Sequence, residues 1–245
     1  MNTSSLLRSA FTAAAITTAT LLGNITTAEA VEVTVAIDNL SPEEGIVLTP
    51  FWVGFHDGSY DLYDPGVAAS EGLALIAEDG DVSLLSAAFS AGNVDRVDGV
   101  ITGSGIGPGS PPLIGPGSSA TLTLDVDEMT PFLSFASMIL PSNDAFIGNE
   151  SGTSHRLFDA DGNFIGTDFV VIGSQIQDAG SEINDESPES VPLLGMAHLV
   201  GPTENSTVMA HPGFEAGGNI LSAFPGADFK DSLYPLARIR VELAE

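Results

Sequence analysis

Apolar and polar residues alternate along several short stretches of the chain. A period of two residues is typical of a β-strand with one buried and one exposed face. The pattern therefore predicts strands over residues 31–38, 51–56, 120–127 and 238–242. The second of these stretches carries the only tryptophan of the chain, Trp52.

Residues 132–140 differ from these stretches because they are almost continuously apolar. A short apolar run of this kind is typical of a strand that is buried on both faces. Residues 169–172 predict one further strand. Between the two, an Asp-Gly pair at Asp161 and Gly162 separates apolar pairs at 157–158 and 164–165, which predicts a hairpin turn.

Helical spacing of apolar residues is confined to two short segments. Residues 68–77 and 84–91 each predict a short helix, whereas residues 100–117 are rich in Gly, Pro and Ser and predict a loop. Many short strands between turn clusters favour a mainly β fold, and specifically an antiparallel β-sandwich. We expect the short helical insertion to cap one end of that sandwich.

The N-terminal 30 residues have the features of a secretory signal peptide. Arg8 supplies a positive charge, residues 10–22 are small and apolar, and Ala28-Glu29-Ala30 fits the small-x-small cleavage pattern. Cleavage is therefore predicted after Ala30, with one domain over residues 31–245 of the 245-residue chain. The expected location is secreted, extracellular or periplasmic.

Charge and cysteine content exclude several classes of function. The chain has 6 Lys and Arg residues against 33 Asp and Glu residues, and its formal net charge is −27. Binding to nucleic acid needs clustered basic residues, and an anionic membrane surface would repel this chain unless a cation bridged the two. Because the chain has no Cys, disulfides, thiolate catalysis and Cys-ligated metals are ruled out.

Two acidic turns are the best candidates for a metal site. Asn143 and Asp144 follow the continuously apolar strand, and Asp178 and Glu182 follow the strand at 169–172. Carboxylates on loops at one end of a sandwich are suitable ligands for Ca²⁺, which takes six to eight oxygen ligands. The alternative is that Asp144 and Glu182 are ordinary solvated turn residues.

Three other motifs carry weaker signals. The segment from Asp159 to Asn163 resembles the start of an EF-hand loop, but Phe164 and Val170 stand where that loop needs Gly and a carboxylate, so a polar turn is expected. Gly103–Gly109 lacks the lysine of a phosphate-binding loop and predicts a flexible loop. The four histidines are scattered and predict structural or surface roles, being His56, His155, His198 and His211.

Three segments together resemble the spondin N-terminal domain family, in its stand-alone secreted bacterial form. They are Thr49 to His56 (TPFWVGFH), Ser137 to Gly148 (SMILPSNDAFIG) and Asp178 to Glu182 (DAGSE). The second segment is the most specific, and the resemblance extends over most of the chain from residue 31 onward. The cysteines of the animal members are missing from this chain.

The resemblance implies a β-sandwich similar to calcium-dependent phospholipid-binding (C2-like) domains, with one bound Ca²⁺ near one end and a role in adhesion or matrix binding. It assigns the metal ligands to Asp144, Asp178 and Glu182, with Asp185 and Glu186 as outer candidates. It implies no catalytic role.

Three functions therefore remain open. The first is a secreted, non-enzymatic calcium-binding module that adheres to an extracellular surface, matrix or glycan. The second is a secreted hydrolase in which His56 or His155 acts as base beside an Asp, although the chain has no G-x-S-x-G motif. The third is a purely structural acidic protein of a surface or biofilm, whose charge only maintains solubility.

Overall fold

The computed structural model describes residues 29–92, 95–195, 201–231 and 233–245. Residues 1–28, which hold most of the predicted signal peptide, lie outside the described residues. The described chain is mainly β and forms two antiparallel sheets, which confirms the predicted fold class.

Strands of two to nine residues and a few short helices succeed one another along the described chain. In chain order they are β1 (Val31–Asn39), β2 (Val47–Leu48), β3 (Phe51–His56), α1 (Glu71–Asp79), α2 (Ser83–Gly92), β4 (Val97–Ile101), β5 (Ser119–Val126), β6 (Phe132–Leu140), β7 (Ala145–Gly148), β8 (His155–Arg156), β9 (Thr167–Ile172), β10 (Gln177–Asp178), β11 (Met209–Ala210), α3 (Asn219–Ala223) and β12 (Pro235–Leu243). Two single 3₁₀ turns are formed by Gly173–Gln175 and Pro225–Ala227.

The smaller sheet has four strands in the order β5-β1-β12-β9. The first and last strands of the described chain are neighbours in it, with Val35 opposite Val241. The larger sheet has the order β11-β10-β7-β6-β3-β4, and the two-residue strands β2 and β8 also pair with β6. The strands β1, β3, β5, β6, β9 and β12 lie where the sequence pattern predicts strands. Strand β4 was not predicted, and its last two residues fall within the predicted loop over 100–117.

The core lies between the two sheets. Alternate residues of β1 and β12, such as Val35 and Ile239, pack in the same apolar cluster as Phe51 and Val53 of β3. In β6 the cluster includes Phe135, whose ring stacks on that of Phe51 with 5.7 Å between the ring centroids. Because one face of each sheet contributes to this cluster, the architecture is a β-sandwich.

Helices α1 and α2 cover the outer face of the larger sheet. Trp52 of β3 and Phe146 of β7 point away from the main core and form a second cluster with residues of α1 and α2, including Ile76 and Phe89. The expectation that the helices cap one end of the sandwich is therefore wrong. The physical reason is that β3 and β6 carry apolar side chains on both faces, so the outer face also needs cover.

A helix start and a helix end can be traced to single residues. The side chain of Ser70 accepts a hydrogen bond from Leu73 N at the start of α1, and Gly80 adopts the left-handed conformation that ends the helix. Below the helices, Gly54 of β3 leaves room for the Trp52 indole. A Cβ atom at residue 54 would lie 2.5 Å from one indole carbon and 2.9 Å from the Phe89 ring.

We predict that Gly54→Ala destabilises the domain by about 1–3 kcal/mol, because the added methyl group overpacks the layer between the helices and the larger sheet. Urea unfolding followed by Trp52 fluorescence measures the change. Gly107→Ala is the matched control, since a Cβ atom there meets nothing within 4 Å. Equal stability of the two variants would contradict the packing argument.

Candidate metal site

The turn after β6 places Asp144 in the protein interior. The hydroxyl of Ser142 donates to Ile139 O at 2.5 Å and accepts from Ala145 N at 3.2 Å. These two bonds fold the chain back from β6 into β7. Asp144, which lies inside this turn, has no solvent-accessible surface.

One carboxylate oxygen of Asp144 holds the segment that follows β10. Its Oδ2 accepts hydrogen bonds from Ser181 N at 2.9 Å, Glu182 N at 2.9 Å and Ser181 Oγ at 3.2 Å. Its Oδ1 is buried and accepts no hydrogen bond from the described residues. Burial, together with the charge of Asp178, raises the pKa of Asp144 to about 6. A buried carboxylate oxygen without a partner is energetically costly and is therefore a position that favours a cation.

Asp178 reaches the same place from β10, where it lies opposite Ala145. Its Oδ1 accepts from Gly180 N at 2.7 Å, and its Oδ2 accepts from Asn184 Nδ2 at 2.5 Å. Gly180 is required by the turn, because its φ is +67° and a Cβ atom would lie 2.7 Å from Thr207 O. The side chain of Asp178 is only 3% exposed, so Asp144 and Asp178 are neighbouring buried carboxylates.

Glu182 joins this cluster through its backbone but not through its carboxylate. Its N–H donates to Asp144, whereas its Oε1 accepts from Gly201 N at 2.6 Å. Burial raises the pKa of Glu182 to about 7, with Glu78, Asp144 and Asp79 adding to the effect. Across residues 29–92, 95–195, 201–231 and 233–245, no three or more acidic or histidine side chains gather closely enough to hold a metal ion.

The residues present fit a cation in part. Asp144 offers a free buried oxygen, and Asp178 offers a second carboxylate close enough to raise the pKa of Asp144. Glu182 is less well placed, because its Oε1 is directed to the Gly201 amide. Oxygen donors of this type suit Ca²⁺, which tolerates flexible geometry.

The outer candidates have structural roles. Asp185 accepts hydrogen bonds from Ser187 N and Ser190 Oγ, which fixes its own turn. Glu186 accepts from Glu215 N at 2.6 Å and Ile220 N at 3.2 Å. Both carboxylates are therefore engaged by the chain itself.

Two partners of the buried carboxylates were missed by sequence reasoning. Ser181 donates to Asp144, and Asn184 donates to Asp178. Only their position within or next to the acidic segment 178–182 could have suggested these roles, because Ser and Asn are common in any turn.

His56 forms a buried pair with a serine, which bears on the hydrolase hypothesis. His56 Nε2 lies 3.0 Å from Ser134 Oγ, and neither residue has accessible surface. The Nδ1 atom of His56 accepts a hydrogen bond from Gly58 N at 3.0 Å, so the proton of the neutral ring is on Nε2. Burial, with a smaller contribution from Arg96, lowers the pKa of His56 to about 4.

This arrangement is unsuited to nucleophilic catalysis. A catalytic base must accept the serine proton, but Nε2 already carries a proton and donates it to Ser134. Asn149 Nδ2 is a second donor near the same hydroxyl, at 3.3 Å. The pair is also closed to a substrate because it is completely buried. The geometry favours a structural role for His56 and Ser134.

The remaining histidines are apart from one another in the fold. His155 on β8 stacks on Phe169 with 3.7 Å between ring centroids, and His211 contacts Phe214 and Phe229. His198 lies outside the described residues. The segment from Asp159 to Asn163 forms a turn, in which the Asp159 carboxylate accepts from Asn163 N and from its amide group.

We predict that His155→Phe reduces the loss of stability in mild acid. Burial lowers the pKa of His155 from 6.5 to about 4, so the unfolded chain takes up a proton first as the pH falls. The resulting stabilisation is complete above pH 6.5 and is lost as the pH falls towards 4. The Phe variant keeps the ring stack without the titration.

From roughly pH 7.5 to roughly pH 5, the stability of the variant relative to the parent chain should rise by about 1–2 kcal/mol, after allowance for the partial exposure of the ring. Urea unfolding at the two pH values measures the difference. A difference that is the same at both pH values would show that His155 is not held neutral by the fold.

The site and fold define a two-layered β module with acidic loops at one end. A protein-family model described as Spondin_N matches residues 42–182. The chain therefore belongs to the spondin N-terminal domain family, which is a family of extracellular modules not known for enzymatic activity. The match includes all three predicted ligands but not β1 or β12, so it covers less of the chain than the resemblance predicted.

No curated protein matches the chain. None of the helices in the described residues has the length and apolar character needed to cross a membrane.

Proposed function

We propose that the chain is an exported, non-enzymatic module that binds one Ca²⁺ ion at Asp144, Asp178 and Glu182. The bound ion would order the loops after β6 and β10 for adhesion to an extracellular surface, matrix or glycan. The observation that carries the proposal is the buried Oδ1 of Asp144, which accepts no hydrogen bond from the described residues and lies near the charge of Asp178.

The physical argument is electrostatic. Two buried carboxylates in a chain of net charge −27 repel each other, and a divalent cation removes that repulsion. Binding to the folded state alone then stabilises the domain by mass action. A cation at this site is also the means by which so acidic a chain could contact anionic lipid or saccharide.

The purely structural alternative requires the acidic residues to be spread evenly over the surface, without a cluster at Asp144 and Asp178. The Arg238–Asp168 ion pair is typical of such a surface, because both side chains are close to half exposed. Asp144 and Asp178 differ because they are buried and adjacent, which favours a binding role at this end of the sandwich.

We predict opposite effects of Asp144→Asn with and without Ca²⁺. In chelator, the variant should be at least as stable as the parent chain, because it removes a buried charge beside Asp178 and keeps an oxygen for Ser181 and Glu182. With Ca²⁺ at about 100 times its dissociation constant, the parent chain should gain about 2.7 kcal/mol and the variant almost nothing. Thermal unfolding and calorimetric titration measure the two quantities.

Asp161→Asn is the matched control, since it removes one charge from the exposed turn at Asp159 to Asn163 and should leave Ca²⁺ binding unchanged. The proposal fails if Ca²⁺ produces neither heat nor a shift in melting temperature of the parent chain. It also fails if Asp144→Asn binds Ca²⁺ as tightly as the control does.

A further inference from the structure

A cavity of about 270 Å³ lies next to the acidic loops. Among the residues that line it are Asn143, Asn184, Glu186, His211, Phe214 and Lys230. Asn184 links the two sites, because it donates its amide proton to Asp178. The volume is slightly below the usual range for drug-sized ligands, so the cavity has room for one small ring rather than an extended chain.

His211 is one of the residues that line this cavity, and its ring carries an unused donor. Its Nδ1 accepts a hydrogen bond from Gly213 N at 3.0 Å. Burial lowers the pKa of the ring to about 4, so the ring is neutral at pH 7 and its proton is on Nε2. That Nε2 atom is buried and has no hydrogen-bond partner among the described residues. A buried N–H group without an acceptor is uncommon in folded proteins.

The His211 ring is held in this orientation by its neighbours. It makes edge contacts with Phe214 and Phe229, at centroid distances of 5.5 and 5.3 Å. These two rings also contact each other, so His211 belongs to a packed cluster of three rings. Because Nε2 carries a proton, it is unsuited to metal ligation and requires a group that accepts a hydrogen bond.

Lys230, the only lysine of the chain, supplies a second donor. Its aliphatic part lies over Gly213, where φ is +85° and a Cβ atom would be 2.5 Å from the Lys230 side chain. Its charge contributes to the lowered pKa of His211, so the ammonium group is within electrostatic reach of that ring. Gly213 therefore positions both donor residues. Its N–H group binds His211 Nδ1, and its lack of a side chain leaves room for Lys230.

The cavity also contains acceptors. Asn143 Nδ2 donates to Ile183 O and Asn184 Nδ2 donates to Asp178 Oδ2, which orients both amides. Both residues line the cavity, and each amide also carries an acceptor oxygen. Each oxygen of the Glu186 carboxylate already accepts from a backbone N–H group. The wall thus combines donors with acceptors, which is the pairing that a hydroxyl group needs.

Charge decides between a neutral ligand and an anion. Lys230 is the single cation of the lining, whereas Glu186 and Glu215 both line the cavity and the chain as a whole has a net charge of −27. An anion would be repelled by this field. Neutral hydroxyl groups can use His211, Lys230 and the asparagines without that cost.

We propose that this cavity binds one ring of a neutral saccharide, whose hydroxyl groups accept from His211 and Lys230 and donate to Asn143 and Asn184. This binding rests on the glycan adhesion in the proposed function, for which it specifies the ligand class, but it does not require the metal. It gives the module a defined sugar pocket beside its acidic loops.

Saturation-transfer NMR on the whole chain tests the proposal with glucose, galactose, mannose and N-acetylglucosamine as separate probes. Glucuronate and inorganic phosphate are the anionic arms, and each titration is done in Ca²⁺ and in chelator. The variants are His211→Phe, which removes the Nε2 donor, and Lys230→Met, which keeps the aliphatic part of an exposed side chain. The controls are His155→Phe and Arg238→Met, which change the same residue types elsewhere.

We expect at least one neutral sugar to bind the parent chain, and each of His211→Phe and Lys230→Met to weaken that binding about tenfold, as the loss of one hydrogen bond predicts. The controls should bind as the parent chain does. If His211→Phe does not fold, Lys230→Met decides. Sugar binding by Asp144→Asn would separate this site from the calcium proposal.

Three results would overturn the proposal. They are no binding of any neutral sugar in either buffer, equal binding by Lys230→Met and the parent chain, and binding of glucuronate or phosphate alone. The last result would identify an anion site instead.

Discussion

Burial of β3 and β6 on both faces is the constraint on which the rest of the structure depends. One face of each strand packs against the four-stranded sheet, and the other lies under the two helices. A strand with two apolar faces has no stable position at a solvent boundary, so both layers are required. The same constraint explains Gly54, where a side chain would occupy the space of the Trp52 indole, and β6 ends in a turn that is itself buried.

That buried turn places the Asp144 carboxylate of the acidic loops inside the protein, away from solvent. A carboxylate on an exposed loop is solvated, and its charge has little effect on the fold. Asp144 instead lies inside the protein and holds the Ser181–Glu182 backbone through one oxygen, while Asp178 is fixed beside it. The local backbone is thereby arranged around two negative charges, and the neighbouring cavity at His211 shares Asn184 with them. Two binding properties can therefore depend on one set of loops.

Hydrophobic periodicity was sufficient to predict the long strands and the two helices, because each long strand shows its own alternation or apolar run. The short elements β2, β4, β7, β8, β10, β11 and α3 were not predicted, since two to five residues carry too little pattern and such elements are defined by their partners. The apolar outer face of β3, with Trp52, was the available signal for the position of the helices. At the site, Asp144 and Asp178 lie near each other, whereas their assignment with Glu182 as metal ligands stays a prediction. The direction of the Glu182 side chain depends on Gly201, which lies 19 residues further along the chain, and no local pattern encodes that contact.

The pairing of β1 with β12 has a consequence for how the domain can be presented. Val33 lies opposite Leu243, so the two ends of the domain leave the small sheet side by side. Val31 also pairs with Val126, from which residues 127–131 lead to the start of β6 at Phe132. Asp144 follows the opposite end of β6. Any tether at either terminus would thus hold the domain by one pole and turn the acidic loops and the cavity at His211 outward, towards whatever approaches from solution.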